Sequence, residues 1–195
     1  MKRAFDIFFS ALALLLLSPW LGAIAIWVMS DSRGGAFYGQ TRVGKHGRLF
    51  RLFKFRSMTA DDEGPEVTLG NRDRRITKVG RVLRRYKLDE LPQLWNVMIG
   101  DMSIVGPRPE VPKYIELYTA EMLRALDVRP GLTDPGSLAG FDEGEELADA
   151  ADPETHYLEI IMPRKVALQV AYLENATFLT DIGLIARTFL RIFKG

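Results

Sequence analysis

From Ile7 to Met29 the chain is almost uninterruptedly apolar. At ~1.5 Å per residue, a helix of that length covers a ~30 Å hydrocarbon layer. The run is too long for the apolar part of a cleaved signal peptide, and no small-residue cleavage site follows it. The pattern therefore predicts a membrane segment over residues 1–32, interrupted at Ser18-Pro19, where proline removes a backbone hydrogen bond and kinks the helix. Ser18 is placed to bond the carbonyl that Pro19 leaves free, in a medium without water. Beyond it, glycines punctuate loops and short strands from Ala36 to Met58, with Leu49 to Arg56 alternating in places so that Lys54 and Arg56 share one strand face. Asp61 to Pro65 reads as a polar turn, and a basic helix begins near Val79. Leu91, Leu94, Trp95 and Met98 recur as one apolar helical face, with Pro92 tolerated only in its first turn, so Asp89 and Glu90 sit at the helix N-terminus. Further helices are predicted over Val111–Leu126, Pro163–Tyr172 and Thr180–Lys194. The last is amphipathic, with Ile182, Ile185, Phe189 and Ile192 opposite Arg187, Arg191 and Lys194.

The formal net charge of +1 hides a lopsided distribution. Basic residues dominate from Arg33 to Lys87, whereas Asp142, Glu143, Glu145, Glu146, Asp149, Asp152 and Glu154 follow one another without an intervening cation. A basic first half suits an anionic partner: phosphate, nucleic acid or acidic lipid. The acidic run reads as a solvated surface rather than a metal site. With no cysteine there is no disulfide, thiolate nucleophile or cysteine metal site, and the two histidines form no ligand pattern. Lys2 and Arg3 precede the apolar run and seven cations follow it between Arg33 and Arg56. The positive-inside tendency places both flanks in the cytoplasm, which a re-entrant hairpin satisfies; charge and kink alone leave re-entry and spanning open.

A lone Asp-Glu pair reads as an acidic helix cap. Here Arg81, Arg84, Arg85 and Lys87 come just before Asp89-Glu90, and Arg108 follows between Pro107 and Pro109. Carboxylates beside a helix N-terminus and several cations form a setting for phosphate chemistry.

Taken together, Lys2-Arg3 with Asp6, Ser18-Pro19, Gly39 to Gly44, Lys54-Phe55-Arg56-Ser57-Met58, Arg75-Ile76-Thr77 with Gly80, Leu88 to Val97 and Gly100 to Pro109 resemble the bacterial sugar transferases, the monotopic phosphoglycosyl transferases. The resemblance covers nearly the whole chain in order, as a minimal catalytic-domain form. It implies a helix-rich mixed α/β fold: a re-entrant membrane helix over 1–32, and over 33–195 one compact cytoplasmic catalytic domain with interfacial amphipathic helices. It implies transfer of a phosphosugar from a UDP-sugar to polyprenyl (undecaprenyl) phosphate at the cytoplasmic face of the bacterial inner membrane, releasing UMP, as the first membrane step of glycoconjugate assembly. No nucleic acid partner is expected, and homo-oligomerisation is left open.

By the same resemblance Asp89 is the nucleophile and Glu90 its partner in metal binding or proton handling, with Mg²⁺ as cofactor on the two carboxylates. Arg84 and Arg108 are expected on the phosphates, Pro107 and Pro109 fix the Arg108 loop, and Lys54 and Arg56 either bind substrate or position the fold. One departure bears on the donor: where many members continue Gly-Trp-Ala-Gln-Val after Pro-Gly-x-Thr, this chain has Asp134 to Gly140, so the sugar stays open. Two rival readings are a transferase that releases UDP and a noncatalytic membrane-anchored nucleotide-sugar or partner-binding module. The released nucleotide separates all three.

Overall fold

A computed structural model of the chain describes residues 1–59, 73–138 and 143–194; the side chains of residues 137, 138, 189 and 191–194 lie outside the description. The turn expected at Asp61–Pro65, the end of the Asp134–Gly140 departure and Asp142 fall outside the described residues.

Helix α1 (Lys2–Asp31) is continuous and contains Pro19. The break expected at Ser18-Pro19 is not a gap in the helix. Pro19 cannot donate to the Leu15 carbonyl, and the Ser18 hydroxyl donates to that carbonyl instead, at 2.8 Å. Among the described residues α1 is the one helix long and apolar enough to cross a membrane. Its covered positions form a stripe at helical spacing: Asp6, Ser10 and Val28 are buried, and Arg3, Leu17, Leu21, Ile24 and Asp31 are partly covered. Phe8, Leu15, Leu16, Trp20, Ile26 and Trp27 are exposed.

The antiparallel hairpin β1 (Phe37–Val43) and β2 (Leu49–Phe55) follows, with Phe37 opposite Phe55 and Val43 opposite Leu49. Helix α2 (Lys78–Arg85) is the basic helix expected near Val79; Thr77 caps it by accepting from the Gly80 amide at 2.9 Å. It packs so tightly on the strand exit that a Cβ at Gly80 would meet the Ser57 carbonyl oxygen at 2.0 Å. Val79 and Leu83 of α2 join Phe55 of β2 and Val28 of α1 in one apolar cluster, with Leu21, Ile24 and Ala25 against it. The C-terminal half of α1 is thereby fixed to the domain. The N-terminal end is fixed too. Arg3 donates to the Val97 and Met98 carbonyls at 2.6 and 2.9 Å, and Asp6 accepts from the Ser103 hydroxyl at 2.9 Å and the Ile104 amide at 3.1 Å.

Asp89 and Glu90 lie in a 3₁₀ turn (Leu88–Glu90), and α3 (Gln93–Ile99) begins only after Pro92, so the pair precedes the α-helix rather than opening it. Pro92 supplies no amide, which suits a boundary between the two. The buried face of α3 is Gln93, Leu94, Asn96 and Val97, while Trp95, read from the sequence as core, is 48% exposed. The reason is Asn96. Its side chain donates to the Arg51 carbonyl at 2.8 Å and accepts from the Phe53 amide at 3.1 Å, turning a polar residue inward onto β2.

Strands β3 (Ser103–Val105) and β4 (Gly131–Thr133) form a parallel pair. Between them the single helix expected over Val111–Leu126 is divided into α4 (Pro112–Ile115), α5 (Ala120–Leu123) and a 3₁₀ turn (Arg124–Asp127). Thr119 starts α5 by accepting from the Met122 amide, which ends the preceding helix instead of extending it. The chain continues through α6 (Pro135–Leu138), α7 (Glu143–Ala148), α8 (Pro153–His156), a π-helical turn (Tyr157–Ile161), α9 (Met162–Glu174) and α10 (Phe178–Lys194). Tyr114, Tyr157, Ile161, Met162, Val166 and Val170 make the core of this half. The fold is the expected helix-rich mixture with small sheets.

Candidate active site

Lys87 adopts the left-handed conformation (φ 56°), which turns the chain from α2 into the 3₁₀ turn carrying the two carboxylates. A lysine there is under mild strain, a feature that clusters at functional sites. Asp89 is 5% exposed, and its Oδ1 has no hydrogen-bond partner among the described residues. Glu90 beside it is bound twice: Oε1 accepts from Lys54 Nζ at 3.1 Å and from Arg108 Nη2 at 2.5 Å. Lys54 comes from β2, and Asn96 ties that strand to α3, so the α3–β2 packing sets the Lys54–Glu90 distance.

Arg108 comes from the loop after β3, which is pinned on both sides. The Pro107 carbonyl accepts from the Gly131 amide at 2.8 Å, and the Pro109 carbonyl from Arg42 at 3.1 Å. Gly106 and Gly131 approach too closely for any side chain: a Cβ on Gly131 would meet the Gly106 nitrogen at 2.1 Å. The loop is thus seated on the second sheet with no room to slide.

The electrostatics divide the two carboxylates. Burial raises the Asp89 pKa, with the Glu90 charge acting in the same direction and Lys54, Arg84 and Lys87 opposing. Burial acts upward on Glu90 as well, but Arg108 and Lys54 outweigh it and hold Glu90 well below the usual carboxylate range. Neighbouring titratable groups whose environments push their proton affinities apart are the mark of divided roles. Glu90 is a fixed anion that gathers cations. Asp89 is the group with an open oxygen and a tunable charge.

Of the residues singled out from the sequence, Asp89, Glu90, Lys54 and Arg108 are brought together, and Pro107 holds the loop. Arg84, on the last turn of α2, acts on Asp89 as a nearby positive charge. Arg56 goes elsewhere: it bonds the carbonyls of Ser32, Arg33 and Gly34 and so holds the segment that leaves α1. Its neighbour Lys54 stays in β2, whereas Arg56 lies one residue past the strand, its amide still donating to the Ala36 carbonyl at 2.9 Å. Ser18 and Pro19 lie on the exposed part of α1, away from the carboxylates. Sequence reasoning missed Gln93, which is 3% exposed one turn beyond Asp89 with no partner for its Nε2 among the described residues; Asp134, read only as the start of a departure in the loop, has a charge that acts on Arg108. The i, i+4 spacing of Asp89 and Gln93 was the available signal for the first. The acidic run is also less solvent-facing than it reads, since Glu146 pairs with Arg164 at 2.7 Å and Glu143 with Lys165 at 3.5 Å.

The model of the bacterial sugar transferase family matches residues 1–195, the entire chain. The chain belongs to the bacterial sugar transferase family. Among its relatives, the UDP-glucose:undecaprenyl-phosphate glucose-1-phosphate transferase of Caulobacter vibrioides is 35% identical over 191 residues, covering 96% of this chain and 67% of that protein. The transferase of the same name from Escherichia coli is 40% identical over 200 residues, covering 100% of this chain and 40% of the relative. The undecaprenyl-phosphate galactose phosphotransferase of Salmonella typhimurium is 36% identical over 205 residues, covering 96% of this chain and 39% of its own length. This family member therefore spans about two thirds of the first relative and about two fifths of the other two. The names of these relatives share undecaprenyl phosphate; two name glucose and the third galactose.

Proposed function

We propose that the chain transfers a phosphosugar from a UDP-sugar to undecaprenyl phosphate, through a covalent intermediate on Asp89. The observation that carries this reading is the contrast between two adjacent carboxylates: Oε1 of the half-buried Glu90 is bound by Lys54 and Arg108, whereas the buried Asp89 keeps an oxygen with no partner among the described residues. A buried acceptor left without a partner costs ~1–3 kcal/mol, a cost that persists where function uses it.

In the first step an Asp89 oxygen attacks the sugar-linked phosphorus of the donor, the bridging P–O bond breaks, and UMP departs with the electron pair. In the second a phosphate oxygen of undecaprenyl phosphate attacks the same phosphorus, the Asp89–phosphorus bond breaks, and the carboxylate is regenerated. Lys54, Arg84 and Arg108 offset the charge that accumulates around phosphorus, and Glu90 holds two of them in place. The residues also fit Mg²⁺, which binds through one or two carboxylates together with substrate phosphates rather than in an all-protein cage. Asp89 and Glu90 would hold it; when bound it would neutralise diphosphate charge.

Helix α1 supports a monotopic seat. Both of its ends are fastened to one domain while its outer face is apolar from Phe8 to Trp27, which supports a seat with both helix ends on one side of the membrane; the cations flanking the apolar run support the cytoplasmic side. There Asp89 meets a headgroup phosphate while the polyprenyl tail stays in hydrocarbon.

The test is the nucleotide released when radiolabelled UDP-glucose, UDP-galactose or UDP-N-acetylgalactosamine is incubated with undecaprenyl phosphate. UMP is expected with at least one donor; release of UDP, or of no nucleotide with any donor, overturns the proposal. A second expectation follows from the charges. Lys54 lowers the Asp89 pKa, so Lys54→Met raises it further and moves the acidic limb of the pH–kcat/KM profile to higher pH, besides slowing turnover. An unmoved or downward-shifted limb would remove Asp89 as the titrating group.

A further inference from the structure

Two residues beyond Arg108, Glu110 is 5% exposed, yet its carboxylate is met by groups from three separate parts of the chain. Arg42 of β1 donates to Oε1 at 3.2 Å, and the same nitrogen donates to the Pro109 carbonyl at 3.1 Å. The Val111 amide donates to Oε1 at 2.8 Å. From the C-terminal half, the Tyr157 hydroxyl donates to Oε2, and Lys165 Nζ lies 3.6 Å from Oε2 while donating to the Tyr157 hydroxyl at 2.9 Å. The Glu110 backbone is held as well, its carbonyl accepting from the Val43 amide at 2.9 Å. Burial alone would disfavour the ionised carboxylate, but Lys165 and Arg42 outweigh it and keep Glu110 charged.

Tyr157 opens the π-helical turn Tyr157–Ile161, and Lys165 lies eight residues further on in α9. In an uninterrupted α-helix, at ~100° per residue, eight residues leave two side chains about 80° apart. The wider π turn takes up that offset, so both residues face one carboxylate. Such turns are rare and gather at functional sites. None of these groups bonds Asp89 or Glu90, and the reaction as proposed above gives them no part.

We propose that Tyr157 and Lys165 are positioning residues for Arg108: by holding Glu110 they fix the loop whose guanidinium meets Glu90 and the sugar-linked phosphate. This rests on the reading of Arg108 as a phosphate-binding residue. The loop carrying Arg108 is short, and the clamp one residue past Pro109 removes its remaining freedom. Placement errors on the scale of 1 Å cost ~10²-fold in rate, so a buried clamp of this kind has a catalytic consequence without touching substrate.

The experiment is a double-mutant cycle. Tyr157→Phe and Lys165→Met are each made in the parent and in Arg108→Lys, which keeps a charge and so a turnover measurable with radiolabelled donor. If the two residues act through Arg108, each lowers kcat about tenfold in the parent and less than about twofold once Arg108 is lysine. A merely structural loss multiplies turnover by the same factor in both backgrounds. Tyr172→Phe is the control: it removes a hydroxyl bonded to a different buried carboxylate, Asp181, which pairs with Lys2 and makes no bond to the Arg108 loop among the described residues, and its effect should be equal in both. Equal losses for Tyr157→Phe and Lys165→Met in both backgrounds, or no loss in the parent, overturn the positioning role. Near-parental turnover in Arg108→Lys alone overturns instead the reading of Arg108 on which it rests.

Discussion

Asp89→Asn is expected to abolish both donor-dependent UMP release and covalent labelling, while leaving the protein folded and no less stable at neutral pH. Asparagine has the shape of aspartate but is not a nucleophile toward phosphorus, so neither step of the transfer can proceed. The stability expectation follows from the direction of the Asp89 pKa. Its folded-state value is raised above the ordinary 3.8. The folded protein therefore holds that proton more tightly than the unfolded chain does, and stability is lost as pH rises from about 4 through the raised value. Asparagine carries no such charge. The melting temperature of the variant should match the parent at low pH and equal or exceed it above. Incubating the parent with donor alone and mapping the peptide around Leu88 to Trp95 by mass should show a phosphosugar on Asp89, absent from the variant. Turnover by the asparagine form, or labelling at another residue, would end the covalent assignment to Asp89.

Glu90 behaves in the opposite sense. Its depressed pKa means that its ion pairs stabilise the fold above the ordinary glutamate value and that this contribution disappears as pH falls through the folded pKa. Neighbouring positions of one 3₁₀ turn thus carry opposite pH dependences, because Lys54 and Arg108 both converge on Glu90 and leave Asp89 facing burial with weaker compensation. That asymmetry was not in the sequence. The Asp89-Glu90 pair, its cationic neighbours and the helix that follows were legible because they are local: a proline at a helix start, apolar spacing, charge within twenty residues. Which carboxylate received the cations depended on β2 docking against α3, and hence on Asn96, a polar residue outside the apolar face of Leu91, Leu94, Trp95 and Met98. Trp95 was misplaced for the same reason. Arg56 looked equivalent to Lys54 by strand alternation, but its guanidinium is taken up by the Ser32, Arg33 and Gly34 carbonyls, a contact set by how the segment after α1 meets the strand. The Glu110 clamp was out of reach altogether, since Arg42, Tyr157 and Lys165 are joined only by tertiary packing and a π turn has no sequence period of its own.

The apolar segment shows the same division between local and long-range information, and it leads to the remaining large effect. From the sequence, the bend at Ser18-Pro19 was the device that would return the chain to the side it entered from. In the fold α1 is continuous through that point, and the freed Leu15 carbonyl is satisfied by Ser18. The N-terminal end is held to the domain by docking. Arg3 caps the carbonyls of Val97 and Met98 at the end of α3, where the missing amides leave partial negative charge, and Asp6 is buried against Ser103 and Ile104. Hydrogen bonds to charged groups contribute about 1.5–3 kcal/mol each. Replacing Arg3 and Asp6 together by alanine removes five of them, counting the Arg3 bond to the Met102 carbonyl at 3.5 Å, a sizeable part of the ~5–15 kcal/mol that stabilises a domain. It also leaves Lys2 as the one cation before the apolar run. The released segment is long enough to span, and its N-terminus should then cross. The chain has no cysteine, so one inserted between Met1 and Lys2 is a unique reporter. In intact cells it should be shielded from an impermeant thiol reagent in the parent and in Ser18→Ala/Pro19→Ala, which leaves the docking in place. It should be labelled in Arg3→Ala/Asp6→Ala, with transfer to undecaprenyl phosphate falling at least tenfold because the domain loses its seat. Labelling in the parent would show that α1 spans; labelling in the Ser18/Pro19 variant but not in the Arg3/Asp6 variant would return the decisive role to the proline.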